Sequence, residues 1–357
     1  MEPRENPDLV DQELAERALL ESARSGRLAH AWLLTGPQGV GKATLAFRFA
    51  RYLLAGDAEE SGGLFESPRP EGLAVDPGHP VFRRVASGGH ADLRVLARGV
   101  NPKTGKPRSE IVVDEVREAI AFLRLTPSEG GWRVVIVDGA EDMNRNAQNA
   151  LLKVLEEPPA RAVLLLVCHA PGRLLPTIRS RCRRLDLRPL SPTTLVRLIA
   201  ARLPESPEAD RALAAGLAEG SIGRALAILE AGGVELYRDL VALLLALPKL
   251  DAGALHRQAE RLGRFGGEES YRLAAELLLG WLTRMIKLAA AGEDAGSEFM
   301  KGERAAMVRL GRAVSVARWI ELAEEMRREF TLVEAVNLDR RQVWISSLLG
   351  VQRLTAA

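Results

Sequence analysis

The seven residues Gly36-Pro37-Gln38-Gly39-Val40-Gly41-Lys42 constrain what this chain can fold into more than any other stretch. They follow a short apolar run, Ala31-Trp32-Leu33-Leu34-Thr35, and precede Leu45, Phe49 and Leu53 at helical spacing. Strand, glycine loop and helix in that order make a phosphate cradle. Glycines let backbone N–H groups wrap phosphate oxygens, the helix N-terminus adds positive potential, and the lysine reaches the outer phosphates. Gly36, Gly39, Gly41 and Lys42 are therefore candidate nucleotide-binding residues, with ATP as the expected cofactor. The next residue breaks the pattern, because a Ser or Thr hydroxyl normally holds Mg²⁺ there and this chain has Ala43. Thr44 comes one place too late to be an equivalent ligand and stands only as a candidate cofactor contact.

Further apolar runs at Leu93 to Leu96, Trp132 to Val137 and Ala162 to Val167 alternate with helical patterns at Val113 to Leu125 and Asn144 to Leu155. This alternation predicts an α/β domain, a parallel sheet covered by helices, over residues 1–190. The Gly-, Pro- and Ser-rich stretches 61–89 and 98–109 read as loops or an insertion. Trp132 to Asp138 is a strand ending in an acid, so Asp138 is a candidate for holding nucleotide-bound Mg²⁺ through water. An acid in the following position would orient an attacking water, but that position is Gly139; Glu141, two residues on, would point elsewhere. Strand signals stop at Leu190. Ser191 and Pro192 suit an N-cap and first helical position, and the remainder is Leu/Ala-rich and helical, with a weakly marked break near Gly232-Gly233.

Length and composition exclude several classes. At 357 residues the chain exceeds the roughly 250–300 that one hydrophobic core serves, so two or three domains are expected. A net charge of +2 is too balanced to argue for nucleic-acid binding, and 4% aromatic residues make a base-stacking surface improbable on composition. Cys168 and Cys182 cannot build a disulfide framework or a four-cysteine zinc site, which points to a reducing, cytoplasmic setting. No apolar run approaches the ~18–20 residues that cross a bilayer, so no membrane partner is expected. Both cysteines read as buried small hydrophobes, and His79 and His90 as solvated loop histidines.

Two segments carry a resemblance. Asn146-Ala147-Gln148-Asn149-Ala150-Leu151-Leu152-Lys153-Val154-Leu155-Glu156-Glu157-Pro158-Pro159, followed by Leu175-Pro176-Thr177-Ile178-Arg179-Ser180-Arg181-Cys182, resembles the signature of AAA+ clamp-loader subunits of DNA polymerase III. The likeness is firmest from Trp32 to Leu190 and implies an AAA+ P-loop domain (1–190), a helical lid (191–232) and a helical collar that joins a ring (233–357). It implies motor subunits (gamma/tau), a delta subunit, the sliding clamp and primed DNA as partners, within the DNA polymerase III holoenzyme.

The departures choose among members. The motor subunits keep the hydroxyl after the P-loop lysine and an acidic pair where this chain has Asp138-Gly139. Their sensor arginine would fall at Gly223, with Arg224 one place on and facing elsewhere. Losses at several ATPase positions with the Ser-Arg-Cys triplet kept resemble the family's non-hydrolysing member, whose Arg181 equivalent acts as a finger on a neighbour's nucleotide; ATP binding here would then be weak or vestigial. An ATP-hydrolysing motor is the alternative. The zinc module many members carry after the P-loop helix cannot form, since residues 51–117 contain no cysteine. Arg173, Arg179, Arg183, Arg184 and Arg188 leave two readings open, a solvated strand edge or phosphate contacts, and Lys103, Lys106 and Arg108 read as solvated. The stretch 337–349 resembles a last collar helix.

Overall fold

The computed structural model describes residues 2–60, 72–99, 108–129, 131–264, 267–291, 298–336 and 338–356. Lys103, Lys106 and Asn337 lie outside these described residues. The chain divides into two compact units, Met1–Leu190 and Ser191–Ala357.

In the first unit α1 (Glu13–Arg24) precedes β1 (Ala31–Thr35), and α2 (Lys42–Glu60) and α3 (Pro80–Ala86) precede β2 (Leu93–Leu96). Then come α4 (Val113–Leu123), β3 (Arg133–Asp138), α5 (Arg145–Glu156), β4 (Ala162–Cys168), α6 (Pro176–Arg181) and β5 (Arg183–Asp186). The strands are parallel and ordered β2-β3-β4-β1-β5. Successive strand side chains point to opposite faces, and the two cores follow from that rule. Trp32, Leu34, Val134, Ile136, Val163 and Leu165 pack with α2, while Leu33, Val135, Val137, Leu164 and Leu166 pack with α4 and α5. A sheet buried on both faces needs continuous apolar strands at its centre, as β1 and β4 provide. Helices on both faces of a parallel sheet give the α/β domain that the sequence led us to expect.

Several details differ from the sequence reading. The β3 strand begins at Arg133, one residue later than expected, and ends in the acid Asp138. The α4 helix stops at Leu123, ahead of Pro127, and leaves Leu125 61% exposed. The Ser-Arg-Cys triplet is not a loop, since Ser180 and Arg181 close α6 and Cys182 caps it. Arg183 and Arg184 sit on the edge strand β5, where both are exposed. His90 is buried and not solvated: its Nδ1 accepts a hydrogen bond from the Asp92 N–H at 3.2 Å, and burial lowers its pKa. His79 instead caps α3, accepting from the Val81 N–H at 3.2 Å.

The second unit is helical throughout its described residues: α7 (Pro192–Arg202), α8 (Glu208–Leu217), α9 (Ile222–Glu230), α10 (Gly233–Leu245), α11 (Ala252–Leu262), α12 (Glu268–Ala291), α13 (Glu303–Ala313), α14 (Val316–Val336) and α15 (Arg340–Ala356). Ser191 caps α7 through the Thr194 N–H, with Pro192 in the first turn, as expected. Gly232, at φ 67°, marks the start of α10. One hydrophobic cluster nevertheless runs from Leu213 through Ile228, Trp281 and Trp344 to Val351, so the core does not break at residue 232.

This continuity predicts how truncated chains behave. A piece ending at Leu190 keeps both sheet-face cores, whose buried members all lie between Ala15 and Leu187. A piece ending at Gly232 would strip Leu213, Ala214, Leu217 and Ile228 of their packing partners on α10 and beyond. We expect the first to unfold cooperatively as a monomer and the second to self-associate through exposed apolar surface. Size-exclusion chromatography with light scattering and thermal circular dichroism check both; a monodisperse, cooperative 1–232 piece would contradict the continuous core.

Candidate nucleotide site

The glycine loop adopts backbone angles that only glycine accepts readily. Gly36, Gly39 and Gly41 have φ of 141°, 77° and 101°, and a Cβ on Gly36 would lie 2.6 Å from the Leu187 carbonyl oxygen. The loop delivers Lys42 to the first position of α2, where unpaired helix N–H groups face outward. The lysine side chain is only 3% exposed. Its Nζ donates to the Gly36 carbonyl at 2.7 Å and also to the Pro37 carbonyl. Burial pulls its pKa down to about 8, and the charges of Glu141 and Asp138 resist that fall. Ala43 follows with no hydroxyl, and Thr44 is buried in α2 at 7% exposure.

Asp138 sits half-buried at the end of β3, and burial raises its pKa while His169 and Lys42 oppose the shift. Gly139 turns the chain into a short 3₁₀ turn, Ala140–Asp142, with φ 79° and ψ 55°. A Cβ placed on Gly139 would lie 2.8 Å from Asp142 Oδ2. Glu141 is turned back into the protein. Its Oε1 accepts the His169 backbone N–H at 2.8 Å and lies 3.0 Å from His169 Nδ1. Burial alone would raise the Glu141 pKa, but the hydrogen bonds from His169 and Cys168 hold it at about 2. A carboxylate with so low a pKa is a poor proton acceptor at neutral pH. Lys42, Asp138, Glu141, Cys168 and His169 thus form one electrostatic cluster under the glycine loop. Both thiols, Cys168 and Cys182, are buried, and burial pushes each up to about 12.

The sequence reading missed two contributors. His169 follows an apolar strand as Asp138 does, and that shared pattern of strand ending in a polar residue was the available signal. The other is the N-terminal segment. Gln12, 5% exposed, donates to the carbonyls of Val40 and Arg188 at 3.4 and 2.7 Å and accepts from the Arg188 N–H at 3.2 Å. A Cβ on Gly41 would meet Leu9 Cδ1 at 2.6 Å, so this segment packs directly on the loop. Arg51, buried on α2, donates to the carbonyls of Arg4 and Asn6 at 3.1 and 2.7 Å. A polar N-terminus carries no periodicity to announce such contacts.

Arg181 lies elsewhere, at the C-terminal end of α6. Its Nη1 donates to the Thr177 carbonyl at 3.1 Å and its Nη2 is 2.8 Å from Glu156 Oε1 at the end of α5. The two helices are tied by Gln148, whose Oε1 accepts the Leu175 N–H at 2.8 Å and whose Nε2 donates to the Met143 carbonyl at 2.9 Å. In the second unit, Gly223 occupies the first turn of α9, and Arg224 pairs with Glu219 at 3.4 Å.

Comparison with known proteins places this geometry. The family described as DNA polymerase III, delta subunit, matches residues 11–191. The DNA polymerase III subunit delta' of Escherichia coli is 33% identical over 247 residues, covering 68% of this chain and 68% of that one. The chain belongs to the delta prime family of DNA polymerase III subunits. The delta' subunit of Pseudomonas aeruginosa is 42% identical over 154 residues, a match spanning 43% of this chain and 42% of that relative. A Bacillus subtilis DNA polymerase III subunit tau is 26% identical over 262 residues, covering 71% of this chain and 43% of its own. Membership rests on the first unit above all, the part the family match covers.

Proposed function

We propose that this chain is the non-hydrolysing member of a DNA polymerase III clamp loader. It would join the gamma/tau motor subunits and a delta subunit in the cytoplasm, cap the ring, and help place the sliding clamp on primed DNA. The observation that carries the reading is Gly139. An acid that orients water after Asp138 is missing, and the backbone at that position, with φ 79°, disfavours any side chain. Ala43 removes a Mg²⁺ ligand, and Glu141 is committed to His169.

The P-loop keeps what weak ATP binding needs, Gly36, Gly39, Gly41 and Lys42, with Thr44 two residues on and Asp138 close enough in space for its charge to act on Lys42. For phosphate to enter, the Lys42 ammonium must leave the Gly36 and Pro37 carbonyls it now contacts. The expected result is negligible turnover by the isolated chain, with nucleotide binding that is weak and indifferent to Mg²⁺. Steady-state phosphate release and a nucleotide titration measure these. Sustained turnover that disappears in Lys42→Ala would support the alternative, an ATP-hydrolysing motor, and overturn this proposal. Arg181 is assigned the role of a finger that acts in trans, on ATP bound by a neighbouring motor subunit.

A further inference from the structure

We infer that Glu156 is a positioning residue that parks Arg181 on its own chain, so that the arginine must exchange a carboxylate for phosphate before it can act. This deepens the finger assignment proposed above and rests on it.

Glu156 opens the stretch Glu156-Glu157-Pro158-Pro159. A residue before proline is disfavoured in helical conformation, and Glu157, at φ −125° and ψ 74°, has left the helix. Pro158 therefore fixes Glu156 as the last helical residue of α5. An anion at a helix C-terminus faces partial negative charge from the last carbonyls, so Glu156 gains from a cation beside it. Arg181 supplies one, with Nη2 2.8 Å from Oε1. The Thr177 carbonyl holds Nη1 at 3.1 Å and so aims the fork toward Glu156. Glu156 and Thr177 are the partners Arg181 has among the described residues. Gln148 fixes α5 against the chain entering α6, so the two charged ends are held near each other by buried hydrogen bonds rather than by their own attraction.

The energetics suit a latch and not a lock. The side chains are 36% and 52% exposed, and pairs this accessible are weak and screened by salt. Arginine binds carboxylate and phosphate with the same planar fork, so Glu156 occupies the Nη2 that a phosphate oxygen would take. A multiply charged phosphate outcompetes it once a neighbour presents one. Glu156 then sets how much of the Arg181 population is ready to engage, and its removal shifts that population toward engagement.

The test uses the reconstituted complex with motor, delta and clamp subunits, reading DNA-stimulated ATP turnover for wild type, Glu156→Gln, Arg181→Ala and the double variant across a NaCl series. Glu156→Gln keeps the side chain's size and removes its charge. It is expected to raise turnover by about 1.5- to 5-fold at low salt, the range a surface ion pair supports, with the gain fading as salt rises. In the Arg181→Ala background it should change nothing. Turnover unchanged or lowered by Glu156→Gln, while Arg181→Ala still slows the complex, overturns the latch and leaves the finger assignment standing. A gain that persists without Arg181 also overturns it. Turnover unaffected by Arg181→Ala overturns both.

Discussion

Replacing Glu303 by alanine is expected to destabilise the second unit by about 3–5 kcal/mol, the cost of stripping a buried charge of its partner. Glu303 is 0% exposed at the start of α13. Its Oε1 lies 2.7 Å from Arg284 Nη2 and accepts from the Tyr237 hydroxyl; its Oε2 accepts the N–H groups of Phe299 and Met300 at 3.0 and 3.1 Å. Burial raises the Tyr237 pKa well above its ordinary value, and the neighbouring Arg284 opposes that rise, so the phenol stays a hydrogen-bond donor. Arg284 also stacks at 4.3 Å on Phe299. One carboxylate therefore joins α10, α12 and the entry to α13. Its loss would leave Arg284 largely desolvated beside a neutral phenol, with two backbone donors unpaired. Glu303→Gln keeps acceptor oxygen for part of this set and should lose less. Urea denaturation monitored by tryptophan fluorescence distinguishes the cases, since Trp281 and Trp319 are fully buried in the same unit. A change below about 1 kcal/mol for Glu303→Ala, the scale of an ordinary hydrogen bond, would mean that the network carries little weight.

The second large effect concerns turnover. Arg181→Ala should leave the fold intact, because the side chain is partly exposed and its pair with Glu156 is of the weak surface kind. In the assembled loader it should slow DNA-stimulated ATP hydrolysis severalfold and weaken clamp loading. Fingers of this type contribute ~10³–10⁵ at a single site in small GTPases. A complex with several active sites loses only the share that depends on the finger removed. Lys42→Ala tests the opposite assignment, since it would disable this chain's own loop while leaving the neighbours' sites alone. Complex turnover reduced by Arg181→Ala and barely changed by Lys42→Ala is the expected order. The reverse order would make this chain a motor.

The sheet was legible because its central strands are long, apolar and separated by amphipathic helices. Ala31–Thr35 is the observed strand residue for residue, and Ala162–Cys168 is longer by one. β5 surfaced only as one of two readings of its arginines, because Arg183-Arg184-Leu185-Asp186 is short and charged, as an exposed edge that must not recruit another chain tends to be. Lys42 and Asp138 were identifiable as a pair since each follows or ends an apolar strand at a set spacing. What periodicity cannot carry is direction of a side chain after a turn. Glu141 could be doubted as a base from its offset, but its capture by His169 depends on a strand end 28 positions away in sequence. Gln12 reaches Arg188 across 176 positions, and Glu156 meets Arg181 only because α5 and α6 pack together. His90 misled for a similar reason, since burial comes from tertiary packing and its Gly- and Ser-rich surroundings look like a surface loop.

The left-handed backbone at Gly139 has an implication for how such a chain can change over generations. Writing a glutamate into that codon would not by itself recreate a hydrolysing site, because the new side chain would start in a strained conformation, costing roughly 1–3 kcal/mol. It would also crowd Asp142, an acid already engaged by Arg98 at 3.0 Å. A hydrolysing site would need the turn rebuilt and a hydroxyl at position 43 as well. On the non-hydrolysing reading proposed above, the backbone at Gly139 is therefore a barrier to hydrolysis in its own right, separate from the missing carboxylate.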